Sequence, residues 1–500
     1  MVGAGAAGSV IAARLTEDPA QEVLLVESGP DYPDPALLPR DLAHGYRNSL
    51  RRHDWKLRHR PTSQQVRFPL PRGRVVGGSS AVNTCIALRG QPEDYDEWAA
   101  RGLPEWTWEA CLPAFRRLER DLDFPDAPFH GDAGPLPLQR PPPSSWVTWQ
   151  AAFVEACREV GFPDAPDTNA PGAAGVGPHA FNRIGTRRIS AAEAWLTPEV
   201  RARPGLRIAA ETHVVRVETT AGRATGVTVR HQGQLVRVEA RRVVLCAGAI
   251  HTPGVLLRSG IGPRADLDRL AIPVVRDLPA VGARLLDHPG SAIMLTPRWG
   301  VAGPDDPVLQ TVLRYPGSGA PWGPDMLLQP GSGMAFRTPV VPLVSIMGHV
   351  GKPRGTGHIR WTSADPDARP EITSLLLEDP ADRRLAVDNM QLAGQLTQTR
   401  AMRGLARQVW PAPGVLRDRA RTDAWIRRST DSGYHPCGTV PMGAEDDPDA
   451  ATDGRGRVRG VEGLVVADAS LMPTVPSSNT HLPTLMIGER VGAWLREDTA

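Results

Sequence analysis

Apolar residues fall in short, well-separated blocks along this chain, and most blocks have a readable period. Ser9 to Leu15 reads as an amphipathic helix, and Val23-Leu24-Leu25-Val26 as a buried strand closed by Glu27. Helices are predicted over Ala110 to Leu118 and over 148 to 160. Val214 to Val217 and Gly226 to Val229 alternate as two strands joined by a turn. Arg242 to Leu245 predicts a second buried strand, entering a turn at Cys246-Ala247-Gly248. Helical periodicity returns at 380 to 400 and 421 to 429, and Gly463 to Ala467 reads as one more strand. A closing helix is expected from about Pro483, whose missing N–H suits a first helical position, to Arg496. Between these blocks the chain is rich in proline and glycine. Residues 297 to 340 have little periodicity, which predicts a lid or ordered loops over a site.

Strand-turn-helix signals at the front and a strand with a helix at the back predict an α/β fold. The first turn carries the sharpest motif, Gly3-Ala4-Gly5-Ala6-Ala7-Gly8. In G-x-G-x-x-G the first glycine permits a tight turn. The second lets backbone approach a pyrophosphate, and the third lets helix pack on strand. The helix N-terminus then faces the phosphate charge. Glu27 follows Gly8 by nineteen residues, near the spacing of an acid that accepts from a ribose hydroxyl. Only Met1 and Val2 precede Gly3, where such a fold needs a strand of roughly 5 residues. The expectation is a native start several residues upstream.

Composition narrows the class. The 500 residues are enough for two domains. The 57 basic residues, of which only Lys56 and Lys352 are lysines, are balanced by 55 acidic ones for a net charge of +2. That balance argues against nucleic acid as a partner. Five scattered cysteines without C-x-x-C suggest neither disulfide framework nor zinc site, so no metal is expected. No apolar run reaches the ~18 residues of a membrane span. No basic-then-apolar leader opens the sequence, and the expectation is a cytoplasmic enzyme.

The ordered motifs resemble the glucose–methanol–choline (GMC) oxidoreductases, which are flavoproteins. Pro71 to Asn83 is similar to the family's first signature, and Gly248 to Pro253 through Ser259 to Pro263 to its second. Asp277 to His288, His435-Pro436-Cys437-Gly438-Thr439 and Asp468-Ala469-Ser470 follow in the family's order. The resemblance implies a Rossmann-like FAD-binding domain with an inserted α+β substrate domain carrying an antiparallel sheet. The expected division is 1–140, 180–290 and 430–500 for the FAD domain, and 141–179 and 291–429 for the substrate domain. It implies FAD contacts at Gly3, Gly5, Gly8, Glu27, Val76, Gly78, Asn83, Val214, Asp468, Ala469 and Thr484. Some members attach FAD through a histidine where this chain has Val82, so non-covalent FAD is expected. Ala280, Arg284 and Leu286 also depart from the family's pattern.

The implied reaction is oxidation of a small-molecule alcohol to an aldehyde or ketone, with hydride passing to flavin N5. Histidine suits the base because its pKa lies near neutrality. The resemblance implies His435 as the catalytic base. It places His481, three residues before Thr484, as the second catalytic residue, in preference to Asn479. His251 and His288 are read as structural. Three rival readings stay open: a flavin-containing hydroxynitrile-type lyase, a light-driven fatty-acid decarboxylase and a non-catalytic flavoprotein. The acceptor is left as oxygen, a quinone or a redox partner, and the oligomeric state is unknown. Trp299, Trp322, Trp361 and Trp410 are the candidates for an aromatic cage should the substrate carry an ammonium.

Overall fold

The computed structural model describes residues 1–49, 52–318, 323–333 and 343–498. Its first layer is a parallel sheet. Leu206–Ala209 pairs with Val23–Val26, and Val243–Leu245 pairs with Leu464–Val466. Val2 joins the two halves by parallel bridges to Val26 and Leu245. The strand that delivers the glycine turn is therefore present as one doubly bridged residue, Val2, at the centre of the sheet. Val23–Val26, Val243–Leu245 and Leu464–Val466 are largely buried on both faces, as a sheet covered by helices requires, while Leu206–Ala209 at the edge is partly exposed.

Two helices pack side by side over the glycine turn. The first, Ala6–Leu15, starts inside the motif, and the last, His481–Glu497, comes from the other end of the chain. A Cβ on Gly488 would stand 3.0 Å from Ala7 Cα, so a bare backbone is needed where the helices cross. Arg14 on the first helix grips Glu489 on the last through Nε and Nη2, at 2.5 to 2.9 Å. The last helix begins at His481, so Pro483 is its third residue rather than its first. A three-stranded antiparallel meander, Thr212–Thr220, Arg223–His231 and Gln234–Glu239, flanks this unit.

The second layer system is an antiparallel sheet. Its strands run Ala406–Trp410, Pro289–Pro297, Val344–Val350, Met326–Gly331, Thr311–Tyr315 and Gly175–Pro178 in spatial order. Thr148–Glu159 and Pro380–Leu396 contribute to a separate core with it, through Phe153, Met390 and Ile346. Two of these strands lie inside the 297–340 stretch read from sequence as loop, which corrects that expectation. Residues 319–322, including Trp322, and 334–342 lie outside the described residues.

The two layer systems meet at one strand end. The short segment Asp431–Ser432 pairs antiparallel with Pro289–Gly290 at the start of the second strand. Gly433 N–H donates to His288 O at 2.7 Å. This pairing brings His288, just before the strand, against His435, just after the segment.

Candidate active site

A cavity of about 440 Å³ runs from the glycine turn to His435. Its floor is backbone. Gly3 sits at φ +96°, and a Cβ there would stand 2.5 Å from Cys246 O. Gly5 and Gly78 face each other, with a Cβ on Gly78 falling 2.8 Å from Gly5 Cα. Gly8 has the third glycine's role, since a Cβ there would collide with Gly3 O. The first helix has no side-chain cap, which leaves its N-terminal amides directed at the turn.

Glu27 is buried beside this floor. Its Oε2 accepts from Ala4 N–H at 3.1 Å and its Oε1 from Gly29 N–H at 2.9 Å. Burial pushes its pKa up to about 7, against those backbone donors. Asp468 accepts from Gly248 N–H, Thr252 Oγ1 and Ser470 N–H at 2.6 to 2.8 Å. Asn83, Val214, Ala469 and Thr484 line the cavity, and Thr484 Oγ1 donates to Thr480 O at 2.6 Å. Val76 and Gly8 do not line it; Val76 is buried and donates its N–H to Pro30 O at 3.0 Å.

His435 lies at the other end and is wired on both ring nitrogens. Its Nδ1 is 2.8 Å from His288 Nδ1, and its Nε2 is 2.9 Å from Asn479 Nδ2. The tautomers follow from the partners. His288 Nε2 lies 3.0 Å from Gly351 O and 2.9 Å from Pro476 O, which only accept, so it carries the hydrogen. Burial holds His288 neutral, with its pKa down to about 4. Its Nδ1 is then bare and accepts from His435 Nδ1–H. His435 Nε2 is left with a lone pair, to which Asn479 donates. Burial, with the nearby His288, His349 and Arg72, holds His435 well below the ordinary histidine range. Asp287 fixes the backbone of both rings, accepting from His288 N–H at 2.8 Å and His435 N–H at 2.9 Å. Gly433 is required here because a Cβ would stand 3.1 Å from His435 Nδ1 and His288 Cβ.

The residue bonded to His435 Nε2 is thus Asn479, which the sequence reading passed over. His481 lines the same cavity as first residue of the last helix, but its Nε2 is dry and has no partner among the described residues. Burial lowers its pKa to about 4, so it is neutral at pH 7. His288, read as structural, is the second partner of His435. His251 packs tilted against Trp55, with ring centroids 4.2 Å apart, on the cavity wall.

The order of motifs has its counterpart in the comparisons with known proteins. The GMC oxidoreductase N-terminal pattern matches residues 1–290, and the C-terminal pattern matches 353–488. The chain belongs to the GMC oxidoreductase family. Among the relatives of this GMC oxidoreductase is 5-(hydroxymethyl)furfural oxidase of Methylovorus sp., 37% identical over 98% of this chain and 97% of that protein. Oxygen-dependent choline dehydrogenase 1 of Chromohalobacter salexigens is 35% identical, covering 99% of this chain and 94% of that one. In structure the chain is similar to pyridoxine 4-oxidase from Mesorbium loti, with a TM-score of 0.90 and 30% identity over 99% and 98% of the two chains.

The cofactor is FAD. The observed residues fit it: bare glycine backbone and helix N-termini suit a pyrophosphate, and Glu27 is an acceptor beside them. Among the described residues the group best suited to a metal is Glu119, Asp121 and His130. Each of its members is already paired within the protein, although Glu119 Oε2 has no hydrogen-bond partner among the described residues. Arg89 pairs with Glu119 at 2.7 Å, Arg140 with Asp121 at 2.8 Å and His130 with Asp167 at 2.9 Å. No described helix is long and apolar enough to cross a membrane.

Proposed function

We propose that this chain oxidises an alcohol to an aldehyde or ketone, with His435 as the base. The observation that carries the reading is the bare His435 Nε2 on the cavity wall, held neutral and bonded only to an amide. When bound, FAD supplies a two-electron acceptor for the hydride of the carbinol carbon. His435 Nε2 accepts the hydroxyl proton. The Asn479 amide, which donates to that nitrogen in the resting site, turns to donate to the substrate oxygen. His288 keeps the other face of His435 protonated, so the lone pair always faces the cavity. His481 donates to or accepts from a group within the cavity without touching His435, and its role is orientation. The division into an FAD domain and an inserted substrate domain agrees with the two separate cores.

Val82 lines the cavity and offers no atom for covalent attachment, which supports non-covalent FAD. The names of two relatives, an oxidase and an oxygen-dependent dehydrogenase, support oxygen as acceptor. The decisive test is anaerobic mixing of holoenzyme with an alcohol panel, followed at the flavin absorbance. Bleaching is expected with alcohols, and its absence together with cleavage of a hydroxynitrile would establish a lyase instead. His435→Ala should slow bleaching by about 10²-fold or more, the scale of a positioned base. A near-normal rate in that variant sinks the assignment. Oxygen uptake during turnover then tests the acceptor.

A further inference from the structure

The His435 end of the cavity carries a guanidinium that no acid among the described residues pairs with directly, although Asp287 and Asp54 lie near it. Arg72 lines the cavity together with Gly433, Tyr434 and His435. Among the described residues its guanidinium has no hydrogen-bond or ion-pair partner, and Nε and Nη2 are dry. An unpaired, desolvated guanidinium is costly, and arginine cannot shed its proton to escape the cost. The neighbouring acids lie close but spend hydrogen-bonding oxygens on other donors and do not bond to this guanidinium. Asp287 spends Oδ1 on the His288 and His435 amides and Oδ2 on Ser432 Oγ. Asp54 Oδ1 accepts from the Arg72 backbone N–H at 2.8 Å.

The other acids on the cavity wall are engaged as well. Glu27 and Asp468 accept from backbone, and Asp367 pairs with Arg230 at 2.5 Å. Among the described residues, a cationic substrate would find no carboxylate on this wall that is free of another donor. Trp299 and Trp410 are exposed on the surface, and of the candidate tryptophans among the described residues only Trp361 reaches the cavity. The cofactor's own anion, its pyrophosphate, is provided for at the glycine turn. The partner missing from Arg72 is a second anion at the reacting end. A guanidinium matches the planar, two-oxygen face of a carboxylate better than any other small anion.

We propose that Arg72 binds a carboxylate, and that the preferred substrates are alcohols carrying one. The substrate class rests on the alcohol-oxidation reading, while carboxylate binding itself does not. The experiment therefore separates the two. Holoenzyme is titrated with acetate and benzoate, and with acetamide, benzamide and chloride at matched ionic strength, while the flavin spectrum is followed. Carboxylates are expected to perturb the spectrum saturably, and amides and chloride are not. Arg72→Gln should weaken carboxylate binding by about 10-fold or more, and Arg72→Lys by less. In turnover, 4-(hydroxymethyl)benzoate should exceed 4-(hydroxymethyl)benzamide in kcat/KM for wild type, with the preference lost in Arg72→Gln. Equal affinity for benzoate in wild type and Arg72→Gln overturns the proposal. So does wild type that bleaches with neutral alcohols and binds no carboxylate. Loss of FAD from both the Gln and the Lys variant also overturns it, because Arg72 would then be a cofactor ligand. Absence of bleaching with every alcohol, with carboxylate binding intact, would count against the oxidation reading alone.

Discussion

His288 Nδ1 accepts a hydrogen bond from His435 Nδ1–H at 2.8 Å, and this contact decides which nitrogen of His435 can act as a base. Two backbone carbonyls hold the proton of His288 on its far side. The ring pair is thus a fixed relay of tautomers in which only His435 Nε2 presents a lone pair to the cavity. His288→Ala should slow anaerobic flavin bleaching by about 10-fold or more with little change in KM, since it frees the base to adopt the unproductive tautomer. Unchanged bleaching would show that His435 is oriented by other means.

Asn479 and His481 are separable by experiment. Asn479 Nδ2 touches His435 Nε2, and His481 does not. Asn479→Ala should lower the bleaching rate by about 10-fold at saturating alcohol. His481→Ala should leave more activity than Asn479→Ala. The reverse order would restore His481 as the second catalytic residue.

The base should be available far into acid. The histidine pKa is held well below 6.5 at His435, and the general base must be unprotonated. The acid limb of kcat/KM should therefore lie below pH 6.5, with a plateau through neutrality. Rate measurements from pH 4.5 to 8 check this, and a limb centred at 6.5 or above would contradict the assignment.

Stability should follow a related pattern. Burial lowers His179, His251 and His349 to about 3, and His213 to about 4. Their folded values lie below the unfolded one, so the unfolded chain takes up protons first as pH falls. Their contribution is complete above about 6.5 and is lost on the way down. Each costs about 1.4 kcal/mol per pH unit within that window. His130 has the opposite sign: its carboxylate partners raise its pKa despite burial, so its contribution is full below 6.5 and fades as pH rises through the folded value. The lowered group outnumbers it. The urea midpoint of the holoenzyme should drop between pH 7.5 and 5, and a flat profile would refute this balance.

The cofactor floor tolerates no side chain. Gly78→Ala places a methyl 2.8 Å from Gly5 Cα, at a residue with φ +54°. Purified Gly78→Ala should carry less than about a tenth of the wild-type flavin, judged by absorbance at 450 against 280 nm. Full loading would mean that the turn can widen.

Legibility tracked the range of the interactions. The glycine turn, the strand Val23–Val26 and the helix Thr148–Glu159 are set by local period and turn chemistry, and were readable. Gln234–Glu239 was missed because it is exposed at nearly every position and has no buried face to betray it. Thr311–Tyr315 and Met326–Gly331 were missed for the converse reason. Both are almost continuously buried, which removes the alternation, and glycine and proline interrupt the surroundings. In the site, the motif points to His435, which the structure places on the cavity wall. Its partner His288 is 147 residues away and meets it only because Asp431–Ser432 joins the antiparallel sheet. Asn479 was set aside by counting back from Thr484, a measure of position along the chain that takes no account of where the last helix begins.

The clamp between Arg14 and Glu489 has a consequence for how the molecule is made. The first helix leaves the ribosome with its glycine turn about 475 residues before its partner is synthesised. Until then Ala7 and Val10 have no helix to cover them, and the floor for the pyrophosphate is half built. Flavin capture is in this sense a reading of the finished chain: a polypeptide that stops short of the last twenty residues holds every glycine of the turn and yet lacks the helix that packs against it.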